Sequence, residues 1–487
     1  MITWLNQHDY DKMACMGAPI ISLAEREAFH FIGIGGVGMS GIARVLLSQG
    51  YKVTGSDLNS SEITCQLEQE GALIFPGHSP HNLGTEITRI VVSSAISSTN
   101  PEVLEAQRRG LSVLHRGDML AFLLNQRKGI AVAGAHGKTT TSAMISLVLE
   151  RNGLDPTILV GGHVKEIKGN ARLGSSEYLV AEADESDGSF LRLAPYCAVV
   201  TNVENDHLDY YQNLNNIREA FFRFLEQVKP EGFAVVCMED PFLRSLTVHN
   251  SRPYVTYGFS REAVFYLENV ESRGLETWGD VYYRKRKLGR LTLSVPGQHN
   301  LLNALAAIGV GHELGLNFRA MTESLRDFRG VHRRFEVIGE VNGILVVDDY
   351  AHHPTEIKAT LKAAQQVKAR RVIAVFQPHR FTRTHFLREE FGNAFRDANL
   401  IIINEIYPAG ESPIVGVTAQ LLVEEIRKQT DQPVEYIPTR EEIVDYLAQV
   451  LEPGDLVITM GAGHIWTVGQ SLINRLKDLH ASCINEG

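Results

Sequence analysis

The sequence predicts an α/β protein of three domains whose sheets are mainly parallel. Short apolar stretches alternate with helical patterns along most of the 487 residues, an order typical of parallel sheets with helices on both faces. Glycine-rich turns follow the first strand of two separate strand sets. The length allows about three domains of ordinary size.

The first strand set extends to about residue 128 and predicts one small dinucleotide-type unit. Its predicted strands are FHFIGIG (29–35), YKVTGSD (51–57), ALIF (72–75), RIVVSSA (89–95) and LSVLH (111–115). Its helices are predicted to begin near Val37, Glu62, Pro101 and Gly117.

The second strand set begins with apolar strands and continues with strands in which polar and apolar residues alternate. Its first strands are predicted at KGIAVAGA (128–135), TILVGG (157–162), EYLVAEAD (177–184) and CAVVTNV (197–203). Polar and apolar residues then alternate, which predicts antiparallel ribbons, in GFAVVC (232–237), PYVTYGF (253–259), AVFYLENVES (263–272) and DVYYRKRKLGRLTLSV (280–295). The basic segment 282–290 is predicted to be a hairpin tip, and a helix is predicted over 300–315.

A third set follows residue 330 and completes the domain plan. Its strands are predicted at GILVVDDYA (343–351), RRVIAVFQP (370–378), LIIINEIY (400–407), PVEYIP (433–438) and DLVITMG (455–461). The predicted organisation is a leader over 1–28 and domains over 29–128, 129–330 and 331–487.

Composition narrows the class of protein. Hydrophobic residues make up 44% and charged residues 21% of the chain, and the net charge is −10. No apolar run approaches the roughly 18 residues that cross a bilayer, and no long basic run favours nucleic acid. The five scattered cysteines suit neither a disulfide framework nor a zinc site. We interpret the chain as a cytoplasmic enzyme without nucleic acid or membrane partners.

The first glycine loop, GIGGVG, predicts a site for a diphosphate beside a ribose. Gly33, Gly35 and Gly38 have the spacing that lets a backbone approach a pyrophosphate at a helix N-terminus. Asp57 closes the next strand, where a carboxylate can bond a ribose hydroxyl. NAD and a UDP-sugar satisfy this pattern equally, and a glycine turn that only packs helix on strand is the structural alternative.

The second loop, GAHGKTTT, predicts a nucleoside triphosphate with Mg²⁺. Lys138 can bridge the β- and γ-phosphates, the Thr139 hydroxyl can ligate Mg²⁺, and backbone amides can hold the rest. The loop is two residues shorter than the usual phosphate-binding loop, since Val132 stands where that spacing requires glycine.

Acidic residues after two neighbouring strands predict the metal ligands. In EADESDGSF, Glu182 at the strand terminus is the preferred Mg²⁺ ligand, whereas the following acids are equally compatible with a solvated loop. In TNVENDHLDYY, His207 lies in a polar cluster, and we favour a second-metal or substrate role over a structural one.

Seven motifs together resemble the Mur ligases over residues 29 to about 470. They are HFIGIGGVGMSGIA, GAHGKTTT, EADESDGSF, TNVENDHLDYY, PGQHNLLNALAA, HRRFE and DDYAHHPTEI. The resemblance implies a Rossmann-like UDP-binding domain, a central P-loop-type ATPase domain and a C-terminal Rossmann-like domain. Two positions depart from the family pattern: Ala135 stands where threonine is usual, and His464 where aspartate is usual.

The resemblance also implies a reaction. ATP and Mg²⁺ would drive ligation of L-alanine to the lactyl carboxylate of UDP-N-acetylmuramate through an acyl phosphate, with a preformed peptide as the alternative amine. These small molecules are the implied partners, and the chain is expected to be a monomer or homodimer. The base that accepts the amine proton stays open between His207, His352 and bulk water.

Site residues follow from the resemblance and the two loops. For ATP they are Gly134, Ala135, His136, Gly137, Lys138, Thr139, Thr140, His299, Asn300, Asn303, Arg334 and Asp349. For the UDP-sugar they are Gly33, Gly35, Gly36, Gly38, Met39, Ser40 and Asp57; for metal, Thr139, Glu182 and His207; for the amino acid, His352, Arg380 and Arg383. Asn303 could instead be a polar residue within its own helix, and His352 part of a helix-start cluster. A guanidinium fork suits the amino acid's carboxylate.

Two other functions use only part of these features. A nicotinamide oxidoreductase would use GIGGVG but leave GAHGKTTT and the acidic loops without a role. A nucleotide-switched binding protein would hydrolyse ATP slowly without requiring an amine.

Overall fold

The computed structural model describes residues 27–167, 169–249 and 254–485. The predicted leader over 1–28 therefore lies outside the described residues, apart from its last two. The chain forms two compact units. The first runs up to Glu268 and adds Val281–Gly289 and Leu302–Leu325; the second comprises Asn269–Asp280, Arg290–Leu301 and the chain from Arg326 onward.

The N-terminal part of the first unit contains a five-stranded sheet in the order β3-β2-β1-β4-β5, all parallel. Its strands are Ala28–Ile32 (β1), Lys52–Asp57 (β2), Leu73–Pro76 (β3), Arg89–Val92 (β4) and Ser112–His115 (β5). Its helices are Val37–Ser48 (α1), Glu62–Gln69 (α2), Pro101–Arg109 (α3) and Arg116–Asn125 (α4). The predicted strands are confirmed, and α4 begins one residue before the predicted Gly117. The strand order reverses at β1, where ligand crevices form in such sheets.

A ten-stranded sheet follows, in the order β15-β14-β13-β12-β11-β10-β6-β9-β7-β8. Its strands are Lys128–Ala133 (β6), Thr157–Val164 (β7), Gly169–Arg172 (β8), Tyr178–Glu182 (β9), Cys197–Val200 (β10), Phe233–Cys237 (β11), Tyr254–Gly258 (β12), Phe265–Arg273 (β13), Glu276–Tyr283 (β14) and Arg286–Leu293 (β15). The associated helices are Lys138–Arg151 (α5), Leu208–Tyr211 (α6), Leu214–Glu226 (α7), Pro241–His249 (α8), Gln298–Glu313 (α9) and Phe318–Arg326 (α10). β6 pairs in parallel with β9 and β10. The loop after β6 therefore lies between the loops that follow its two parallel neighbours.

The expected antiparallel pairing is wrong for two pairs, GFAVVC with PYVTYGF and PYVTYGF with AVFYLENVES, and the second pair is the parallel pair β12–β13. β11 pairs in parallel with both β10 and β12. The physical reason is the connection: α8 lies between β11 and β12 and provides the crossover that parallel neighbours require. The predicted hairpin tip is confirmed, because only Arg284 and Lys285 separate β14 from β15, and both have positive φ, at 46° and 71°.

The C-terminal sheet belongs to the second unit and has the order β16-β17-β21-β18-β19-β20. Its strands are Glu336–Val341 (β16), Ile344–Asp349 (β17), Arg371–Phe376 (β18), Leu400–Ile403 (β19), Val434–Tyr436 (β20) and Asp455–Met460 (β21). Its helices are Pro354–Gln366 (α11), Phe381–Phe386 (α12), Arg388–Gly392 (α13), Ala419–Arg427 (α14), Arg440–Val450 (α15) and Trp466–Asn485 (α16). The five predicted strands are confirmed. The edge strand β16, antiparallel to β17, was not predicted.

Within the described residues, each helix is too short or too polar to cross a membrane.

Candidate active site

The loop after β6 places a lysine at the first position of a long helix. β6 ends at Ala133, and α5 begins at Lys138. Gly134 and Gly137 have φ of +137° and +81°, a backbone region that favours glycine. Gly137 is the residue before the helix and makes no side-chain cap, so the first amides of α5 stay open toward an anion.

Lys138 folds back over its own loop and pairs with an acid. Its Nζ donates to Gly134 O at 2.6 Å, Ala135 O at 3.2 Å and Glu185 Oε1 at 2.7 Å. Burial opposes its charge, but the neighbouring carboxylates, led by Glu185 and Glu182, raise the pKa of Lys138. Burial and the adjacent Asp184 raise the pKa of Glu185 to about 7. We take the ammonium to be charged, because carboxylates surround it.

Thr139 and Glu182 form a compact oxygen cluster beside this lysine. The Thr139 hydroxyl lies 3.0 Å from both carboxylate oxygens of Glu182. Gly161 N donates to Glu182 Oε2 at 2.7 Å, which fixes the carboxylate at the end of β9. A hydroxyl and a carboxylate are hard oxygen donors of the kind that Mg²⁺ takes, so the residues present fit that ion.

Two neighbours from distant parts of the chain hold the lysine loop in shape. Asn202 accepts from His136 N at 2.9 Å and donates to His136 O at 3.0 Å. Asn303 Oδ1 accepts from the Thr141 hydroxyl at 3.1 Å. The Asn303 side chain therefore has a structural contact with α5, outside its own helix, and its role near the adenine stays a prediction. Thr140 is 7% exposed and also packs within α5.

Glu185 in the acidic loop is buried and hydrogen-bonded rather than solvated. Glu185 is 3% exposed, and Tyr211 Oη donates to its backbone carbonyl at 2.6 Å. Nε2 of His207 lies 3.8 Å from Glu185 Oε1 and 3.6 Å from Asp206 Oδ2. The expectation of a solvated loop is thus wrong for Glu185, and the structure brings His207 next to the acids around Lys138.

The first glycine loop is braced by the predicted ribose-binding acid. Gly33 has φ of +76°, and Gly35 N donates to Asp57 Oδ2 at 2.9 Å. Gly36 precedes α1 without a side-chain cap, which leaves helix amides open. Asp57 therefore also has a structural function, because it holds the loop against the end of β2.

The side chains of two residues predicted to bind the UDP-sugar are buried inside the protein. Met39 is 2% exposed and Ser40 is fully buried. The Ser40 hydroxyl donates to Val37 O at 3.0 Å and accepts from Asn170 Nδ2 at 3.1 Å. Because Asn170 lies on β8, this contact joins α1 to the ten-stranded sheet. The side chains of Met39 and Ser40 therefore contribute packing, and the assignment of these two residues to the UDP-sugar site stays a prediction.

The second unit holds the remaining residues predicted to bind ATP. Asp349 accepts from Phe335 N at 2.8 Å and Ala351 N at 2.7 Å, and burial raises its pKa to about 6. Burial, assisted by the nearby Arg334 guanidinium, lowers the pKa of His299 to about 4. Its imidazole is therefore neutral at physiological pH.

Two of these residues, Arg334 and Asn300, have side chains that contact neighbouring protein groups. Arg334 Nη1 lies 3.3 Å from Glu356 Oε1. Asn300 Nδ2 donates to the carbonyl oxygen of Pro296, which precedes its own helix, at 2.7 Å.

The predicted amino-acid residues gather near the ends of β17 and β18. His352 Nδ1 lies 2.9 Å from Tyr350 O, and its ring meets the His379 ring edge-on at 5.7 Å. Arg383 Nη1 lies 3.2 Å from His379 Nδ1. The structure thus connects His352 and Arg383 through His379.

Arg380 and the unusual His464 lie at the same end of this sheet. Arg380 has φ of +69°, and its Nε is 3.8 Å from Glu411 Oε1. The ring of His464 packs edge-on against Tyr407 at 5.2 Å, and Tyr407 O accepts from Arg380 N at 2.9 Å.

Comparisons with known proteins identify the family. Family models match in order: the catalytic domain of the Mur ligase family over residues 28–128, the Mur ligase middle domain over 132–311, and the Mur ligase glutamate ligase domain over 333–463. A protein of Pelotomaculum thermopropionicum named UDP-N-acetylmuramate–L-alanine ligase is 57% identical over 450 residues, or 92% of this chain and 97% of the relative. The chain belongs to the Mur ligase family.

Other Mur ligases agree in sequence and fold. A protein of the same name from Desulforamulus reducens is 52% identical, over 92% of this chain and 98% of the relative. The solved UDP-N-acetylmuramate–alanine ligase of Thermotoga maritima has a TM-score of 0.79 and 29% identity, over 93% of this chain and 99% of that one. A murein peptide ligase of Psychrobacter arcticus has a TM-score of 0.67 and 25% identity, over 92% and 98%.

Sequence reasoning about this Mur ligase missed the groups that hold its loops. The sequence indicates Glu185 only as one of the acids that follow Glu182 in EADESDGSF, and Asn202 only as part of the segment TNVENDHLDYY. Arg116, which contacts Asp184 at 2.9 Å, was not named at all. An arginine that directly follows a strand end, as Arg116 follows β5, was the available signal, because strand ends of parallel sheets line the crevice.

Proposed function

We propose that this Mur ligase uses ATP and Mg²⁺ to join L-alanine to the lactyl carboxylate of UDP-N-acetylmuramate. The observation that carries the proposal is the pair of contacts at the start of α5, where Lys138 meets Glu185 and Thr139 meets Glu182. The relatives that are 57% and 52% identical to this chain are both named for these substrates, which supports the same reaction.

The first step brings two anions together, so the site must supply positive charge. In the proposed step the lactyl carboxylate attacks the γ-phosphorus of ATP, and an acyl phosphate and ADP result. Lys138 supports this step because its ammonium is buried and its donors already face oxygen atoms of the loop. Open amides at the start of α5 add to this field.

Thr139 and Glu182 are proposed to hold Mg²⁺ on the same side of the loop. When bound there, the ion would neutralise phosphate charge that builds up during phosphoryl transfer. His207 is proposed to serve a second metal or the substrate, since its Nε2 faces the carboxylates of Asp206 and Glu185.

The second step needs an amine that attacks the activated carbonyl, after which phosphate leaves. We propose that Arg380, with Arg383 in support, binds the amino acid's carboxylate. The Arg380 guanidinium faces a carboxylate, that of Glu411, in this structure. His352 and His207 are the candidate bases for the amine proton. A cytoplasmic location and a monomeric or dimeric state are proposed with this function.

A panel of amines tests the proposal. Purified enzyme with UDP-N-acetylmuramate, ATP and Mg²⁺ is given L-alanine, glycine, L-serine or a stem tripeptide, and phosphate release and product mass are measured. We expect phosphate release that requires both the sugar nucleotide and an amino acid, with L-alanine preferred. Turnover with the tripeptide alone would favour the alternative peptide-joining ligase, and amine-independent hydrolysis would contradict ligation altogether.

A further inference from the structure

Arg116 lies against the first glycine loop, although it comes from another part of the N-terminal sheet. It is the first residue of α4, directly after β5, and its side chain is 15% exposed. A Cβ atom built on Gly38 would lie 3.0 Å from Nη1 and 3.1 Å from Cδ of Arg116. The absence of a side chain at Gly38 therefore lets the guanidinium approach the first turn of α1.

The glycine loop has no positive side chain of its own. The segment GIGGVGMSG contains neither lysine nor arginine. Arg44, further along α1, is bound to Glu70 at 2.7 Å and to Asn170 at 2.7 Å. From the loop itself, a diphosphate would therefore meet amide groups and the field of a helix end, and no lysine or arginine side chain.

The opposite edge of the guanidinium faces the acidic loop of the ATP site. Arg116 Nη2 donates to Asp184 Oδ2 at 2.9 Å and lies 3.9 Å from Asp187 Oδ2. Nη1, by contrast, is the nitrogen beside Gly38. Because a guanidinium has five donors in a rigid fork, one edge can stay on Asp184 while the other binds an oxygen anion.

We propose that Arg116 is a further substrate-binding residue, whose guanidinium binds the diphosphate of the UDP-sugar at the Gly33–Gly38 loop. The inference rests on the proposed function, because it takes the sugar nucleotide as the ligand of that loop. In this proposal the Arg116 guanidinium binds the diphosphate and at the same time contacts Asp184, in the loop that follows Glu182.

Binding of UDP to the full-length protein, measured by titration calorimetry without ATP, tests this assignment. Arg116→Ala should weaken UDP binding about 10- to 100-fold, the usual loss for a hydrogen bond to a charged group. The UDP affinity of Arg116→Lys should lie between those of the wild type and Arg116→Ala, because lysine keeps the positive charge but lacks the paired donors of the guanidinium. Arg108→Ala, which removes an exposed arginine from the same domain, is the matched control and should bind UDP as the wild type does.

Asp184→Asn separates ligand binding from a purely structural bridge. If Arg116 binds the diphosphate, this variant keeps or improves UDP affinity, because the competing carboxylate is neutralised. The proposal is overturned if Arg116→Ala binds UDP within twofold of wild type, or if Asp184→Asn reproduces its loss. Should Arg116→Ala fail to fold, the Arg116→Lys affinity decides, and wild-type affinity there counts against the proposal. Wild-type protein that binds no UDP would instead contradict the proposed function.

Discussion

Replacing Gly137 by alanine tests whether the phosphate loop is shaped by a close approach to Asn303. Gly137 has φ of +81°, and a Cβ there would lie 2.8 Å from Asn303 Oδ1. Gly153, at the other end of α5, has the same φ of +81°, but a Cβ there would meet nothing within 4 Å. The two glycines thus differ in surroundings and agree in backbone conformation.

The expected costs follow from that difference. A left-handed alanine costs about 1–2 kcal/mol, and this is the whole expected cost of Gly153→Ala. Gly137→Ala must in addition displace the Asn303 amide from the Thr141 hydroxyl, which it bonds at 3.1 Å. Losing a neutral hydrogen bond adds about 1 kcal/mol, so we expect a total of roughly 2–3 kcal/mol for Gly137→Ala.

Hydrogen exchange of peptides that cover Lys138–Arg151 measures the free energy of opening α5 directly. Gly137→Ala should lower it more than Gly153→Ala does. In an Asn303→Ala background, which removes the obstructing amide, the effect of Gly137→Ala should shrink to that of Gly153→Ala. An equal effect in both backgrounds would refute the close-approach explanation, and so would equal costs at the two glycines.

Three further predictions concern charge. Lys138→Ala should lower the rate of phosphate release by roughly 1,000-fold, through loss of electrostatic stabilisation, while UDP affinity measured by calorimetry stays within twofold of wild type. Lys128→Ala, which breaks a surface ion pair with Glu177, is the control. Near-normal turnover of Lys138→Ala would disprove the assignment. Glu182→Gln should raise the Mg²⁺ concentration for half-maximal activity at least tenfold, by loss of a charged ligand, and an unchanged Mg²⁺ titration would contradict it. Burial raises the pKa of Asp349 from 3.8 to about 6. Its contribution to the free energy of unfolding is therefore fully present below pH 3.8 and is lost as the pH rises to about 6. The free energy of unfolding should fall by about 3 kcal/mol across this window. In urea unfolding across that window, Asp349→Asn should lack this slope, and parallel curves for both proteins would contradict the reasoning.

Local sequence patterns predicted those parts of the fold that depend on residues close together in the sequence. The strand–glycine–lysine–helix order around Lys138 is encoded within twenty residues, and it needs only a buried strand and a helix start. The pairing of β11 with β12 was mispredicted, because two short alternating strands read alike whether a helix or a turn connects them. The edge strand β16 was missed, although Asn342 and Gly343 form the turn that joins it to β17.

The supports of the site could not be predicted, because they depend on distance in space. Asn303 is separated from Thr141 by 162 residues and Asn202 from His136 by 66. No spacing rule connects such positions in a single sequence. Chemistry did indicate the primary groups, since a lysine at a helix start and a carboxylate at a strand end have few other uses together.

The acids around Lys138 follow from the same electrostatics that the reaction uses. A buried ammonium without phosphate nearby needs a counter-charge, and Glu185, 3% exposed and 2.7 Å away, provides it. The counter-charge has its own cost, because burial raises the pKa of Glu185 to about 7 and so disfavours its charged form. A phosphate that takes over the ammonium would leave the buried Glu185 carboxylate without its cation. Uptake of a proton by Glu185, which its raised pKa favours, would offset that cost.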